Sequence, residues 1–410
     1  MLTQKDREIL RETARLQLEA AHSVKNLERA ALWKRHNAFC GERPIVHVEL
    51  DTFEQEVIPQ RLRCESEEGR GIEASLCRNF LNLTLFDDDW VVPDYYPVSW
   101  HTWFIPFGHE IKRTFASGDN ALGHHFEYLV SDLEEDWDKV GKSTFGVDRE
   151  GTKKQFELAG ELFGDILPPK MVMNGLYAVP TQDVVHLMGM ETMCFSMYDY
   201  PELFHRMMDS LTDDYLAYFD FLAKEKLLLP TAGFEMVGQG SRCFTSELPA
   251  GKAESSRDVW GFMDSQETVS ISPEMYGEFI FPYYKKVAER YGLLSYGCCE
   301  PVDPVWQFVG TLENLRKVSC SPWCSEEVMG EHLRGRKTIF HRKPSPNFLG
   351  VGETLDEDGL REHIRKTLRA AQGCTLEFTQ RDVYTINHDE EKAKRFIAII
   401  REEIAANWKP

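Results

Sequence analysis

The sequence lacks several features that would assign it to a simple class. It has no apolar run approaching the roughly 20 residues that a transmembrane helix needs. Its charged and periodic segment 1–36 lacks the apolar centre of a secretory signal. Ten cysteines in 410 residues are too few for a disulfide-stabilised scaffold. We therefore expect a cytoplasmic protein that has free thiols and does not associate with membranes.

Basic residues are also scarce relative to acidic ones. The chain has 47 Lys and Arg against 67 Asp and Glu, which gives a formal net charge of −20. A surface this acidic repels a phosphate backbone, so nucleic acid is not expected as a partner. Apolar residues make up 42% and charged residues 28%, an ordinary globular composition. We expect a folded protein that acts on a small-molecule substrate.

Strand and helix patterns alternate most clearly after residue 290, in four units of similar length. Alternation of this kind predicts a parallel sheet with helices outside it. Neither a G-x-G-x-x-G after the first strand nor a P-loop is present, which disfavours an open nucleotide-binding sheet. We therefore predict an α/β fold of the (β/α)8 TIM-barrel type. Its eight strands are expected near residues 46, 92, 172, 233, 294, 318, 338 and 376.

Two segments are expected to be additions to the barrel. Residues 1–40 are predicted to form an N-terminal helical arm, opened by the capping pair Thr3 and Asp6. The arm is expected to pack across a barrel end or against a partner subunit in a homodimer. The barrel then covers residues 41–410, with an insertion of hairpins and loops at about 101–165.

The most unusual candidate site is the segment SYGCCEP at 295–301, at the end of the predicted fifth strand. Gly297 allows a sharp turn beside two cysteines. A thiolate there could bind zinc or attack an electrophile, and the alternative is a pair of small buried thiols. We predict that Cys298 faces the barrel mouth. Cys299 should point the other way and be structural, because successive residues of a strand alternate.

Other candidates follow the other predicted strands. His341, Arg342 and Lys343 gather positive charge, which favours an anionic ligand, with a salt-bridged surface cluster as the alternative. Glu235 and Glu267 could act as a general acid or base, although Glu267 also fits plain helix-capping chemistry. The remaining predicted substrate-binding residues are Arg61, Tyr96, Asn174, Tyr296 and Asp382.

Five segments occur in a recognisable order: NGLYAVPT at 174–181, MYDYPE at 197–202, ISPEMY at 271–276, YGCC at 296–299 and SCSPW at 319–323. In these segments the chain, from about residue 165 onward, resembles the uroporphyrinogen decarboxylase superfamily. That superfamily includes zinc- and corrinoid-dependent methyltransferases. The resemblance implies a (β/α)8 barrel that transfers a methyl group from a small methylated compound to a thiol or to a corrinoid on a partner protein.

The resemblance also indicates where this chain departs from its relatives. The methyltransferase branch holds zinc through H-x-C and a later cysteine, but this chain has Tyr296 and Cys298 and no cysteine at 379–382. A rearranged zinc site of Cys298, Cys299 and Glu377 is the implied candidate. The R-x-x-x-R of the decarboxylase branch is replaced by a differently spaced Arg61-x-Arg63. The alternative function is a non-catalytic or decarboxylase-type barrel that binds an anionic or tetrapyrrole-like ligand.

Overall fold

A computed structural model describes residues 2–115 and 123–409, so part of the expected insertion, 116–122, lies outside the described residues. Seven parallel strands form its main sheet, in the spatial order β1-β7-β6-β5-β4-β3-β2. They are β1 (Ile45–Val48), β2 (Leu176–Ala178), β3 (Trp260–Met263), β4 (Leu293–Tyr296), β5 (Leu315–Cys320), β6 (Ile339–Arg342) and β7 (Leu376–Gln380). Strands that follow one another in the chain are therefore neighbours from β2 to β7, as in a barrel.

The edge of β1 explains why the expected closed, eight-stranded barrel is not formed. No strand pairing joins β1 to β2 within the described residues, and the strand expected near residue 92 is irregular. Instead, the outward N–H groups of β1 donate hydrogen bonds to carboxylate oxygens. Val46 donates to Asp89 at 2.8 Å, and Val48 donates to Asp88 at 3.0 Å. The two carboxylates thus bind the backbone N–H groups that would otherwise pair with an adjacent strand.

Two more expected strands lie outside the main sheet. The segment near 172 contributes Pro169–Met171, which pairs with Tyr96–Val98. The segment near 233 contributes Met236–Gly238, which pairs antiparallel with Ser241–Arg242. The main-sheet strands that the sequence did not reveal are β2 and β3, which have only three and four residues, and β3 includes a glycine.

Helices alternate with the strands of the main sheet and pack their apolar faces on it. The longer ones are Gln4–His22, Val24–Asn37, Glu67–Leu81, Arg149–Phe163, Pro180–Asp199, Pro201–Lys224, Glu357–Ala370 and Glu390–Asn407. The shorter ones are Glu54–Val57, Pro273–Met275, Phe281–Ala288, Trp306–Val309, Glu326–Leu333 and Asn347–Gly350. In the part of the chain that the structure describes, no helix is long and apolar enough to cross a membrane.

The N-terminal arm is a broken pair of helices that packs on its own chain. Thr3 and Asp6 form the expected capping box, and Ser23 separates the two helices. The second helix carries His36 to Glu377 of β7, with 3.2 Å between His36 Nε2 and the carboxylate. The side-chain amide of Asn37 donates to the carbonyl oxygen of Arg242 at 2.8 Å. The arm therefore covers polar groups of the main sheet.

The segment expected to be an insertion contains two antiparallel hairpins. His101–Ile105 pairs with Thr144–Asp148, and Arg113–Phe115 pairs with His124–Phe126. Phe126 stacks on His186 of the helix Pro180–Asp199, with ring centroids 4.1 Å apart. The second strand pair is therefore attached to this helix, whereas Phe104 of the first pair stacks on Tyr215 of the helix Pro201–Lys224, with ring centroids 4.5 Å apart.

Candidate functional site

Two cysteines meet where β4 ends. Gly297, directly after the strand, has a φ of +96°, which glycine adopts without the strain of a side chain. The chain then bends through residues 298–300. The bend brings the sulfurs of Cys298 and Cys299 to 3.5 Å from each other. The expectation that Cys299 points away from Cys298 is therefore wrong, because strand alternation ends at Tyr296.

Two basic side chains from neighbouring strands contact Cys298. Arg381, the first residue after β7, places Nη1 at 3.5 Å from the Cys298 sulfur. Lys343, the first residue after β6, donates to the Cys298 carbonyl oxygen at 2.8 Å and to the Gln239 side chain. Arg381 is oriented by Glu49, the first residue after β1, with 3.1 Å between Nε and the carboxylate. The ends of four strands thus build this group.

These contacts favour a thiolate at Cys298. A hydrogen bond from Cys299 lowers the pKa of Cys298 to about 7, with Lys343 and Arg381 adding to the effect and burial opposing it. The same hydrogen bond raises the pKa of Cys299. The Cys299 hydrogen has a second acceptor in Asp382, whose carboxylate lies 3.3 Å from the sulfur. Near neutral pH a substantial fraction of the pair is therefore a Cys298 thiolate next to a neutral Cys299 thiol.

The carboxylate of Glu300 connects this pair to the end of β3. One of its oxygens accepts from the backbone N–H of Cys298 at 2.8 Å, and the other from that of Ser265 at 2.9 Å. The hydroxyl of Ser319 donates to the Cys298 carbonyl oxygen at 2.6 Å. The backbone of Cys298 is therefore held on both sides.

Two acidic side chains near this connection favour the protonated form. Asp264, between β3 and Ser265, is 4% exposed, and its Oδ1 has no hydrogen-bond partner within residues 2–115 and 123–409. Burial raises the pKa of Asp264 well above its ordinary value, and Glu300 and Cys298 raise it further. Burial also raises the pKa of Glu267, whose carboxylate accepts from the Thr181 hydroxyl at 2.8 Å. Asp264 can therefore supply a proton.

A cavity of about 330 Å³ opens near the end of β1. Asp51 lines it, two residues after the Glu49 that orients Arg381. Two predicted site residues also line it: Asn174 accepts from the Met236 backbone at 3.0 Å, and Glu235 from the Gly233 backbone at 2.9 Å. Glu235 and Asn174 are thus cavity residues outside the cysteine group.

Several predicted site residues are turned away from this group. Along β6, His341 and Lys343 share one face, so Arg342 takes the opposite one and contacts Glu326 of a helix at 2.7 Å. The expectation that Arg342 faces the pocket is wrong for this reason. The hydroxyl of Tyr296 contacts Ser265 and Tyr276 at 2.7 Å each, and is likewise on the helix side.

Arg61 and Tyr96 contact residues outside the cysteine group. Arg61 forms an ion pair with Glu390 at 2.7 Å. The hydroxyl of Tyr96 donates to Ser75 at 3.2 Å, in the two-stranded sheet outside the main one. Neither residue is positioned as the sequence predicted.

The residues present do not fit the zinc site that the sequence implied. Glu377 is bound within the sheet, where one oxygen lies 3.0 Å from Lys317 Nζ and the other 3.4 Å from His341 Nε2. Cys298 instead faces Arg381, whose positive charge disfavours a dication. Across the described residues, no three His, Cys, Asp or Glu side chains are grouped as metal ligands. His341 is kept neutral, because burial lowers its pKa to about 3.

Among the residues predicted from the sequence, Cys298, Cys299, Lys343 and Asp382 lie together in the structure. Glu49, Glu300 and Arg381 are also expected at strand ends, but the sequence assigns them no role, and Asp264 fits plain turn chemistry. Their position in the sequence could have indicated a role in the site, because Glu49, Asp264 and Arg381 are each the first residue after a strand. Parallel strands present these positions at one edge of a sheet.

No protein-family model matches the chain, and no curated protein matches it. Among solved structures, a methyltransferase from Methanosarcina mazei is similar, with a TM-score of 0.51 and 12% sequence identity. The similarity covers 91% of this chain and 98% of that one. The chain shares its fold with a methyltransferase.

A second structure is more distant. The B12-independent methionine synthase from Shewanella sp. W3-18-1, solved in complex with selenomethionine, gives a TM-score of 0.33 and 13% identity over 89% of this chain and 98% of that one. At these identities the likeness concerns the fold alone.

Proposed function

We propose that the chain is a methyltransferase in which the Cys298 thiolate accepts a methyl group from a small methylated compound. The observation that carries the proposal is the set of contacts on the Cys298 sulfur: Cys299 at 3.5 Å on one side and Arg381 at 3.5 Å on the other. A thiolate with a pKa of about 7 is a nucleophile at neutral pH. The methyltransferase that shares the fold is a precedent for this reaction class.

The transfer is a displacement at the methyl carbon. The Cys298 sulfur forms the new bond to carbon, and the bond from carbon to the heteroatom of the donor breaks. The departing heteroatom keeps the electron pair and takes the proton of Asp264. The products are a methyl thioether on Cys298 and a protonated leaving group. Asp264 has the free buried oxygen and the raised pKa that this role requires.

The donor is expected to be small and to carry a negative group. A cavity of about 330 Å³ near the end of β1 has room for a small molecule, but Cys298, Lys343 and Arg381 are not among the residues that line it. Lys343 and Arg381 provide positive charge at the carboxyl ends of β6 and β7. Release of the methyl group from the thioether needs a strong nucleophile, such as a thiol or a reduced corrinoid on a partner protein. The expected cytoplasmic location would keep both thiols reduced.

The test is methyl uptake by the protein itself. The reduced protein is incubated with isotope-labelled methylated amines and thioethers that carry a carboxylate, and its intact mass is measured. One labelled methyl group per chain should appear, and peptide mapping should place it on Cys298. Cys298→Ser should abolish the uptake, whereas Cys194→Ser, a partly exposed cysteine elsewhere, should leave it unchanged.

A second arm addresses the role of the acid. Asp264→Asn retains the shape of the side chain but cannot protonate the leaving group. It should slow uptake from amine and thioether donors much more than uptake from iodomethane, whose iodide leaves without a proton. If no donor labels Cys298 but an anionic compound still binds the cavity, the chain is the non-catalytic binding barrel instead.

A further inference from the structure

The two cysteines are placed for chemistry with each other as well as with a substrate. They are adjacent in the chain, and the bend after Gly297 brings their sulfurs to 3.5 Å. A disulfide needs about 2.05 Å between sulfurs. Closing the difference needs rotation of the Cys299 side chain, which is not fully buried, together with a change in the bend that joins the two residues. Glu300 and Ser319 hold the Cys298 side of that bend through its backbone N–H and carbonyl groups.

The surroundings favour the first step of oxidation at one sulfur of the pair. Arg381 and Lys343 lie against Cys298 and stabilise its thiolate, the form that reacts with oxidants. Cys299 contacts the carboxylate of Asp382 and retains its hydrogen. The pair therefore combines an attacking sulfur with a resolving thiol. By contrast, Cys320 is fully buried in the sheet, and burial raises its pKa.

We propose that Cys298 and Cys299 form a reversible vicinal disulfide when the protein meets a hydroperoxide. The Cys298 thiolate attacks the terminal peroxide oxygen and the O–O bond breaks, so that Cys298 becomes a sulfenic acid. Hydroxide leaves from hydrogen peroxide, and an alkoxide leaves from an organic hydroperoxide. The Cys299 sulfur then attacks the Cys298 sulfur, the S–O bond breaks, and water leaves with the thiol proton. The two cysteines lose two electrons, and the hydroperoxide gains them.

The bond between adjacent residues is expected to be easily reduced. Neighbouring Cα atoms are about 3.8 Å apart, whereas most disulfides join Cα atoms separated by about 4.4–6.8 Å. A disulfide outside the preferred geometry is strained and has a higher reduction potential, which is typical of regulatory rather than structural disulfides. A cellular dithiol would therefore restore the pair.

The consequence for activity rests on the proposed function: a disulfide removes the thiolate that accepts the methyl group. The chemistry itself is measured without any methyl donor. The reduced full-length protein is treated with hydrogen peroxide, and its intact mass should fall by two hydrogens. Peptide mapping should join residues 298 and 299, and dithiothreitol should reverse the change. Iodoacetamide uptake at Cys298 should be almost completely lost and then recovered.

Substitutions distinguish the cysteine that attacks the peroxide from the cysteine that resolves the sulfenic acid. Cys299→Ser should form no disulfide, and its Cys298 should instead be trapped by dimedone as the sulfenic acid. Cys298→Ser should leave Cys299 unoxidised at the same peroxide dose, and Cys194→Ser should behave like the unaltered chain. A pair that stays as two thiols, or a crosslink that maps to other cysteines, would overturn the proposal. Disulfide formation without methyl uptake would overturn only the proposed function, and methyl uptake that resists peroxide would overturn only the redox couple.

Discussion

The reactivity of the Cys298 sulfur depends on the side chains that surround it. The ten cysteines of the chain include buried thiols whose pKa is raised, such as Cys243 and Cys320. Cys298 is also nearly buried, yet its pKa is lowered to about 7, because Cys299 donates to it and two cations lie nearby. The difference between an inert and a reactive thiol here is electrostatic.

Replacing Arg381 should therefore change the pH dependence of Cys298. Only the thiolate is alkylated, so the rate of iodoacetamide labelling should rise with pH around a midpoint near 7. In Arg381→Gln the midpoint should move upward by about one unit, since an adjacent opposite charge is removed. The control is Arg316→Gln, which removes an arginine paired with Glu247. An unchanged midpoint in Arg381→Gln would show that this cation does not acidify the sulfur.

A second residue-scale prediction concerns the buried carboxylate of Glu377. Glu377→Gln leaves Lys317 buried at 0% exposure without its counter-charge, 3.0 Å away in the native protein. The expected loss in the free energy of unfolding is about 3–5 kcal/mol, measured by urea denaturation. Glu161→Gln, which breaks an exposed pair with Arg7, should have little effect. Equal midpoints for the two variants would contradict the prediction.

The same carboxylate sets a pH dependence with a definite sign. Contacts with Lys317 and the histidines His36 and His341 lower the pKa of Glu377 well below its ordinary value, against the effect of burial. A lowered folded-state pKa contributes stability that is fully present above the unfolded value of about 4.3 and is lost as the pH falls below it. The stability difference between the native chain and Glu377→Gln should therefore shrink on acidification below about pH 4.

At the scale of single elements, the end of β4 decides the geometry of the site. Gly297→Ala forces a side chain into a φ of +96° and brings a Cβ to 3.0 Å from the Cβ of Ser319. We expect a loss of about 1–2 kcal/mol in stability and slower labelling of the displaced Cys298. Gly71→Ala is a matched control, because its Cβ would meet nothing within 4 Å on the helix Glu67–Leu81. That variant should be neutral or slightly stabilised.

The β6 strand shows what element-level reasoning could have predicted and did not. The sequence analysis expected Arg342 and Lys343 to face the pocket together. Adjacent residues of a strand point to opposite faces, and the structure places Arg342 against Glu326 and Lys343 against the Cys298 carbonyl. The same alternation rule failed for Cys298 and Cys299, because they lie in a bend rather than in the strand.

At the scale of the whole molecule, Asp89 joins segments from both ends of the chain. Its fully buried carboxylate contacts Arg29 of the N-terminal arm at 3.1 Å, Arg43 before β1 at 2.7 Å and Arg401 of the last helix at 3.0 Å. It also caps the edge of β1 at Val46. A single side chain thus replaces part of the strand pairing that would close a barrel.

Asp89→Ala should loosen both ends together. The variant leaves three arginines without this partner, and we expect a loss of at least about 3 kcal/mol in the free energy of unfolding. Hydrogen exchange should become faster in both Val24–Asn37 and Glu390–Asn407. Asp165→Ala, which removes an exposed pair with Arg11, should leave the exchange of both helices unchanged. Faster exchange in only one helix would contradict the joining role of Asp89.

The sequence by itself determined the features that depend on local pattern. Helical spacing and capping residues predicted the N-terminal arm, as one long helix or a broken pair, and the helices after residue 290. Apolar runs predicted β4 to β7. Strand ends pointed to Cys298 and Lys343 as site residues, because parallel strands present these ends at one edge. The four-residue β3 was missed, since a short run containing Gly261 carries little periodic signal.

Tertiary structure alone decided which polar residues meet. Asp88 and Asp89 cap the edge of β1 instead of leaving it to a strand. Asp89 is positioned by arginines from distant parts of the sequence, and Asp88 by His47 and Asn82. Arg381 contacts Cys298 although the two residues are 83 positions apart in the sequence. Glu377 forms an ion pair with Lys317, 60 positions away in the sequence, and is therefore not free to bind a metal. Ion pairs and hydrogen bonds depend on the distance between side chains in the folded protein. The local sequence around each residue does not determine that distance.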